Sequence, residues 1–121
     1  MGAQSDFAAY CMELLAPAGE VRSKRMFGGY GVYLDEVFVA MVAGDALYLK
    51  ADHESRQCFE AAGGRRFEYT RQGKPQGAEF WTPPAEAMES PDHMRPWVQL
   101  AVTAALRARS GRRRALSQDL V

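Results

Sequence analysis

Histidine and cysteine are scarce, with two of each in 121 residues. His53 and His93 both lie beside acids at predicted helix starts, and no H-E-x-x-H occurs, which excludes a helical zinc site of that type. Cys11 and Cys58 fall in different predicted helices, form no C-x-x-C pair and have no adjacent histidine. Neither a zinc site nor a redox pair is therefore expected, and both thiols read as buried small hydrophobes. No G-x-S-x-G is present, so a nucleophile elbow is excluded. Long apolar runs are missing too: the longest, 37–43, falls far short of a membrane span. The N-terminal segment has neither the basic start nor the apolar stretch of a secretion signal, and Asp6 breaks the myristoylation pattern. These absences lead us to expect a cytoplasmic protein with no membrane contact, no cofactor and no enzymatic activity.

Net charge is also absent, since 15 Lys plus Arg balance 15 Asp plus Glu. The balance is uneven along the chain. Up to Leu106 there are 10 basic and 14 acidic side chains, whereas beyond it there are 5 basic and 1 acidic. An acidic body with a basic tail bears on partner choice. Apolar residues at 47% and charged residues at 25% suit a globular domain of this length.

The first segment predicts a helix with Ser5 as N-cap and Phe7, Tyr10, Cys11, Leu14 and Leu15 at helical spacing, stopped by Pro17 and Gly19. Strands are expected over 21–27, 30–34, 37–43 and 47–51, with turns at Asp35-Glu36 and Gly44-Asp45. Asp52 is placed to cap a helix over 53–62 that turns Cys58, Phe59 and Ala62 inward and ends at Gly63-Gly64. Two more strands, 67–71 and 78–82, flank a Gln72-Gly73-Lys74-Pro75 turn, and a helical turn follows over 85–89. Ser90-Pro91-Asp92 starts a last helix to about Arg109, with Met94, Trp97, Val98, Ala101 and Ala105 on one stripe. This order predicts a single α+β domain over 1–109: a curved antiparallel sheet of five to six strands packed by helices, followed by a flexible basic tail over 110–121.

Three features bear on function. Lys24-Arg25-Met26-Phe27-Gly28-Gly29-Tyr30-Gly31 sets three glycines beside two cations, yet it matches neither G-x-G-x-x-G nor a Walker loop, and a strand follows it. Met26, Phe27, Gly28, Gly29 and Gly31 therefore read as a structural motif, a bulge or sharp bend where only glycine fits. A small-ligand or enzyme site near Gly28–Gly31 is the competing reading. Second, Phe27, Tyr30, Tyr33, Phe38, Tyr48, Phe67, Tyr69, Phe80 and Trp81 all fall on predicted strands. With interleaved cations they could stack single-stranded nucleic acid, but no RNP1-like pattern is present, and core or cross-strand pairing is expected. Third, Arg107, Arg109, Arg112, Arg113 and Arg114 would attract phosphate backbones, with help from Lys24 and Arg25. A solvated terminus is the plainer reading of the same arginines.

The run Arg25-Met26-Phe27-Gly28-Gly29-Tyr30-Gly31-Val32-Tyr33 resembles the TfoX/Sxy family, specifically its N-terminal domain. The resemblance continues through Ala46-Leu47-Tyr48-Leu49-Lys50-Ala51, Phe59-Glu60-Ala61-Ala62-Gly63, Phe67-Glu68-Tyr69 and Phe80-Trp81-Thr82-Pro83-Pro84 to Trp97 and the Ala-rich last helix. It implies the family's α+β domain, similar to secretion-chaperone-like folds. It also implies a non-enzymatic regulator of natural-competence genes that works as a co-activator with a cyclic-AMP-receptor-type transcription factor. Two departures stand out: Glu36 occupies a position where the family often has a turn glycine, and larger members carry a second, C-terminal domain for which this chain has no room. The expected function is transcriptional regulation through a protein partner, with direct nucleic-acid binding by the arginines as the alternative. An exposed edge strand could also support a homodimer.

Overall fold

A computed structural model of the chain describes residues 3–26 and 28–119, with side chains described over 6–26, 28–74 and 76–111. Helix α1 (Ala3–Leu15) leads into four strands joined in sequence: β1 (Val21–Met26), β2 (Gly29–Leu34), β3 (Val37–Ala43) and β4 (Ala46–Lys50). A short helix, α2 (Arg56–Ala61), precedes the hairpin β5 (Arg66–Arg71) and β6 (Lys74–Trp81), and α3 (Pro91–Asp119) closes the fold. All pairings are antiparallel, and the sheet order is β1-β2-β3-β4-β6-β5, so the second hairpin joins the first four strands through β6. The α+β class and the six-stranded sheet agree with the sequence reading.

The helices cover one face of the sheet. Alternation along β2, β3 and β4 sends Val32, Leu34, Val42, Leu47 and Leu49 into a core shared with Leu14 and Leu15 of α1, Phe59 of α2, and Met94, Val98 and Ala101 of α3. Each fully buried large side chain of this set contributes roughly 1.5–3 kcal/mol through lost apolar hydration. Ser90 caps α3 as its sequence predicts: its Oγ accepts the His93 N–H at 3.2 Å. The end of α2 is a Schellman arrangement, with Gly63 at φ 84° donating to the Glu60 carbonyl and Gly64 donating to that of Phe59.

Several boundaries differ from expectation. Helix α1 starts at Ala3, so Ser5 lies within its first turn rather than ahead of it as the N-cap. Its buried stripe uses Ala8, while Tyr10 is exposed and donates its hydroxyl to the Met88 carbonyl. Asp52 does act as a cap, accepting the Glu54 and Ser55 N–H groups, but it caps a turn, and helical pairing begins only at Arg56. Cys11 is buried as expected, and burial pushes its thiol up to about 12. Cys58 is exposed, which corrects the sequence reading. On so short a helix only Phe59 reaches the core, and the residue before it points away. Strand β6 begins at Lys74, because Gln72 and Gly73 alone turn the hairpin, both at positive φ. The backbone of α3 continues past the expected end near Arg109, through Gly111 to Asp119. One interior glycine, costing about 1 kcal/mol, does not stop a run otherwise rich in Ala, Leu and Arg.

Candidate functional site

The sheet face turned away from the helices carries the aromatic side chains. Tyr33 pairs with Phe38, Met41 with Tyr48, and Lys50 with Phe80, so these residues share one face across β2, β3, β4 and β6. Simple alternation would put Phe38 and Met41 on opposite faces. A bulge in β3 prevents that: Val32 pairs with Ala40 and Tyr33 with Phe38, leaving Val39 as the extra residue. Val39 and Ala40 are consequently both buried, and Phe38 and Met41 both face outward. The rings form two linked rows, Tyr33–Phe38–Phe80 with centroids 5.2 and 5.5 Å apart, and Tyr48–Phe67–Tyr69 with centroids 5.1 and 6.2 Å apart. Between them lies a groove of about 500 Å³, walled by Met26, Phe38, Met41, Phe67, Tyr69 and Phe80.

The glycine motif makes this groove. Met26 pairs with Gly29 across the β1–β2 turn, where Gly28 adopts φ 74°. The feature read as a bulge or bend is thus a hairpin turn; Phe27, the other member of the motif in this turn, lies outside the described residues. A side chain at Gly29 would run into the Val42 carbonyl oxygen. At Gly31 a Cβ would meet Met26 Cε at 2.5 Å and Phe38 Cε1 at 3.1 Å. Gly31 therefore lets Met26 and Phe38 close over β2 and form the floor of the groove. The spacing of the glycines follows strand packing, with backbone against Gly29 and side chains against Gly31.

The charges fall into separate groups. Arg22 lies over the Tyr33 ring at 4.9 Å and donates to both carboxylate oxygens of Glu36, at 3.2 and 2.7 Å; that pairing holds its guanidinium above the ordinary range. Glu36 and Asp35 turn the β2–β3 hairpin at φ 68° and 48° with no glycine at either position. The Asp35 carboxylate accepts the Glu20 N–H at 2.9 Å, bracing the turn against the chain entering β1. Lys50 Nζ lies 5.2 Å from the centroid of Phe80.

On the helix-covered side, Arg107 donates to Asp52 at 2.7 and 3.0 Å and pairs with Glu54 at 2.9 Å. Hydrogen bonds from Arg107 and Ser55 hold the Asp52 carboxyl down at about 2, against 3.8 ordinarily. Arg107, the first of the arginines singled out in the sequence, is thus committed to tying α3 to the segment after β4. Arg109 is exposed, and the side chains of Arg112, Arg113 and Arg114 lie outside those described. Lys24 and Arg25 sit on β1 at the far edge, separated from β4 by two strands, so they do not join Arg107 in one patch. His53 and His93 are exposed, and among the described residues no group of three or more His, Cys, Asp or Glu could hold a metal ion. Sequence reasoning missed the groove and the Asp52–Arg107 tie. Alternating aromatics were the available signal for the groove, but the face they take depends on the bulge.

Comparison with known proteins gives a family and one relative. The family model described as TfoX N-terminal domain matches residues 13–105. A curated protein of Spirochaeta aurantia, described as an uncharacterized 12.7 kDa protein in the trpE 5′ region, is 33% identical over 60 residues. That match covers 50% of this chain and 52% of the relative, so the chain spans about half the length of the curated relative it matches.

Proposed function

This chain belongs to the TfoX N-terminal domain family, and from that membership we propose that it is a non-enzymatic regulatory domain acting through protein contacts in transcription. The family match over residues 13–105 carries the reading. The partner it favours is a transcription factor, of the cyclic-AMP-receptor type that the family resemblance implies, met in the cytoplasm. Among the described residues no helix is long and apolar enough to cross a membrane. Two surfaces suit such a contact. One is the aromatic face of the sheet. The other is the edge strand β1, whose four central side chains, Arg22 to Arg25, are exposed and include three cations.

The direct nucleic-acid reading has less support. Arg107 is neutralised by two carboxylates, and Lys24 and Arg25 lie at the opposite edge of the sheet. The regulatory reading is tested by deleting the gene in its native host and profiling transcripts. A defined set of transcripts is expected to change, to return with the wild-type protein, and to stay altered with a Lys24→Glu/Arg25→Glu variant that melts like wild type. An unchanged transcript profile on deletion would overturn the proposal.

A further inference from the structure

We propose that the groove on the open face of the sheet is a binding site for a small amphipathic acid: an aryl or medium-length alkyl body carrying one carboxylate. The proposal goes beyond the regulatory reading and stands whether or not the chain acts in transcription. The groove holds about 500 Å³, within the range of small-molecule sites, and its larger wall residues, among them Met26, Phe38, Met41, Phe67, Tyr69 and Phe80, are apolar or aromatic. Met26 and Met41 have unbranched side chains that adapt to irregular apolar ligands.

Charge selects the polar end of the ligand. Lys24 stands two positions before Met26 on β1 and pairs with Gly31, so it shares the groove's face. Lys50 pairs with Phe80, a wall residue, and its ammonium lies over that ring. Neither lysine has a carboxylate partner among the described residues. None of the described strand residues on this face is Asp or Glu. Glu68 and Glu79 occupy the alternate positions of β5 and β6, and Glu79 is held by Arg56 and Arg66. Glu36, at the β2–β3 turn, is already engaged by Arg22. The face therefore offers an apolar trough flanked by unpaired positive charge, which a carboxylate complements and an ammonium does not.

The rings themselves argue against stacked bases as the occupant. Three of the four neighbouring ring pairs are tilted by 35°, 48° and 72°, and only Phe67–Tyr69, at 24°, is near parallel, its two rings packed on one another. Arg22 already covers Tyr33, and Lys50 covers Phe80. A platform for single strands needs open ring faces in series.

The test uses the full chain with 13C-methyl methionine and titrates dodecanoate below its micellar range, alongside dodecanol, dodecyltrimethylammonium and an oligo(dT) strand. The Met26 and Met41 methyl signals are expected to shift saturably with dodecanoate, while Met94, buried on the core side of α3, stays still. Lys24→Gln/Lys50→Gln changes two partly or fully exposed side chains; it is expected to melt like wild type and to bind dodecanoate about fivefold more weakly, the scale of solvent-exposed ion pairing. The inference is overturned if Met26 and Met41 do not shift at about 1 mM dodecanoate, a concentration that reveals even weak sites. It is equally overturned if dodecyltrimethylammonium binds as well as dodecanoate, or if only oligo(dT) shifts these signals.

Discussion

Replacing Asp52 by Asn measures what one carboxylate contributes to docking the last helix. Asn keeps an oxygen for the Glu54 and Ser55 N–H groups, which approach Asp52 Oδ1 at 3.1 and 2.9 Å, so the turn before α2 retains its cap. The charge pairing with Arg107 is lost. The whole drop of the carboxyl from 3.8 to about 2 corresponds to roughly 2.5 kcal/mol, of which Arg107 supplies the largest part and hydrogen bonding with Ser55 a further share. The Arg107 side chain is 40% exposed, and water screens the pair, so about 1 kcal/mol is expected. For a domain of this size that is a fall in melting temperature of about 3–5 °C near pH 7. The sign follows from linkage: the folded state holds Asp52 ionised more readily than the unfolded state does, so its contribution is complete above the ordinary carboxylate value. It is lost as pH falls from about 4 through about 2, below which both states are protonated. Thermal unfolding followed by circular dichroism, at low salt and stepped down through that window, should show the gap between wild type and Asp52→Asn closing. A gap that stays constant down to about pH 2 would mean that shape rather than charge is responsible, and no gap near pH 7 would refute the tie altogether.

Other consequences can be checked in the same way. Gly29→Ala drives a methyl into the Val42 carbonyl and is expected to cost about 2–4 kcal/mol in denaturant titration, whereas at Gly31 the obstacle is the mobile end of Met26, so Gly31→Ala should cost only about 1 kcal/mol; equal losses would contradict this difference. In the native protein Ellman's reagent should modify Cys58 alone, and Cys11 should react only on unfolding; two reactive thiols without denaturant would show the core assignment to be mistaken. Glu36→Gly releases a residue from φ 68° at the cost of an exposed ion pair with Arg22, so a net gain of about 0.5 kcal/mol is expected, and a loss would show the turn to be unstrained. In fluorescence anisotropy, DNA binding should be weak and steeply salt-dependent, with Arg109→Gln flattening the salt slope and Arg107→Gln leaving it unchanged, because Asp52 and Glu54 already neutralise Arg107. Tight binding at about 0.15 M salt would favour nucleic acid over a protein partner.

What the sequence by itself determined was local. Strand β3 was legible because seven consecutive apolar residues between two turn dipeptides admit little else, and the start of α3 because Ser90-Pro91-Asp92 supplies a cap, a fixed φ and an acid in the first turn. The family was legible in the glycine run, since those residues answer close backbone approaches that few other residues tolerate. Tertiary structure decided which face each aromatic took, because a single extra residue at Val39 reverses the alternation downstream of it and no local pattern announces it. It also decided the fate of Arg107: a partner 55 positions away turns a cation of an apparently free basic tail into a brace. Cys58 escaped the core for a related reason, since on the short α2 only Phe59 is buried and the sequence does not say which side of that helix is covered. Hydrophobic pattern and turn chemistry are written along the chain, whereas the groove and the Asp52–Arg107 tie depend on distances between strands and helices that exist only once the sheet is closed against them.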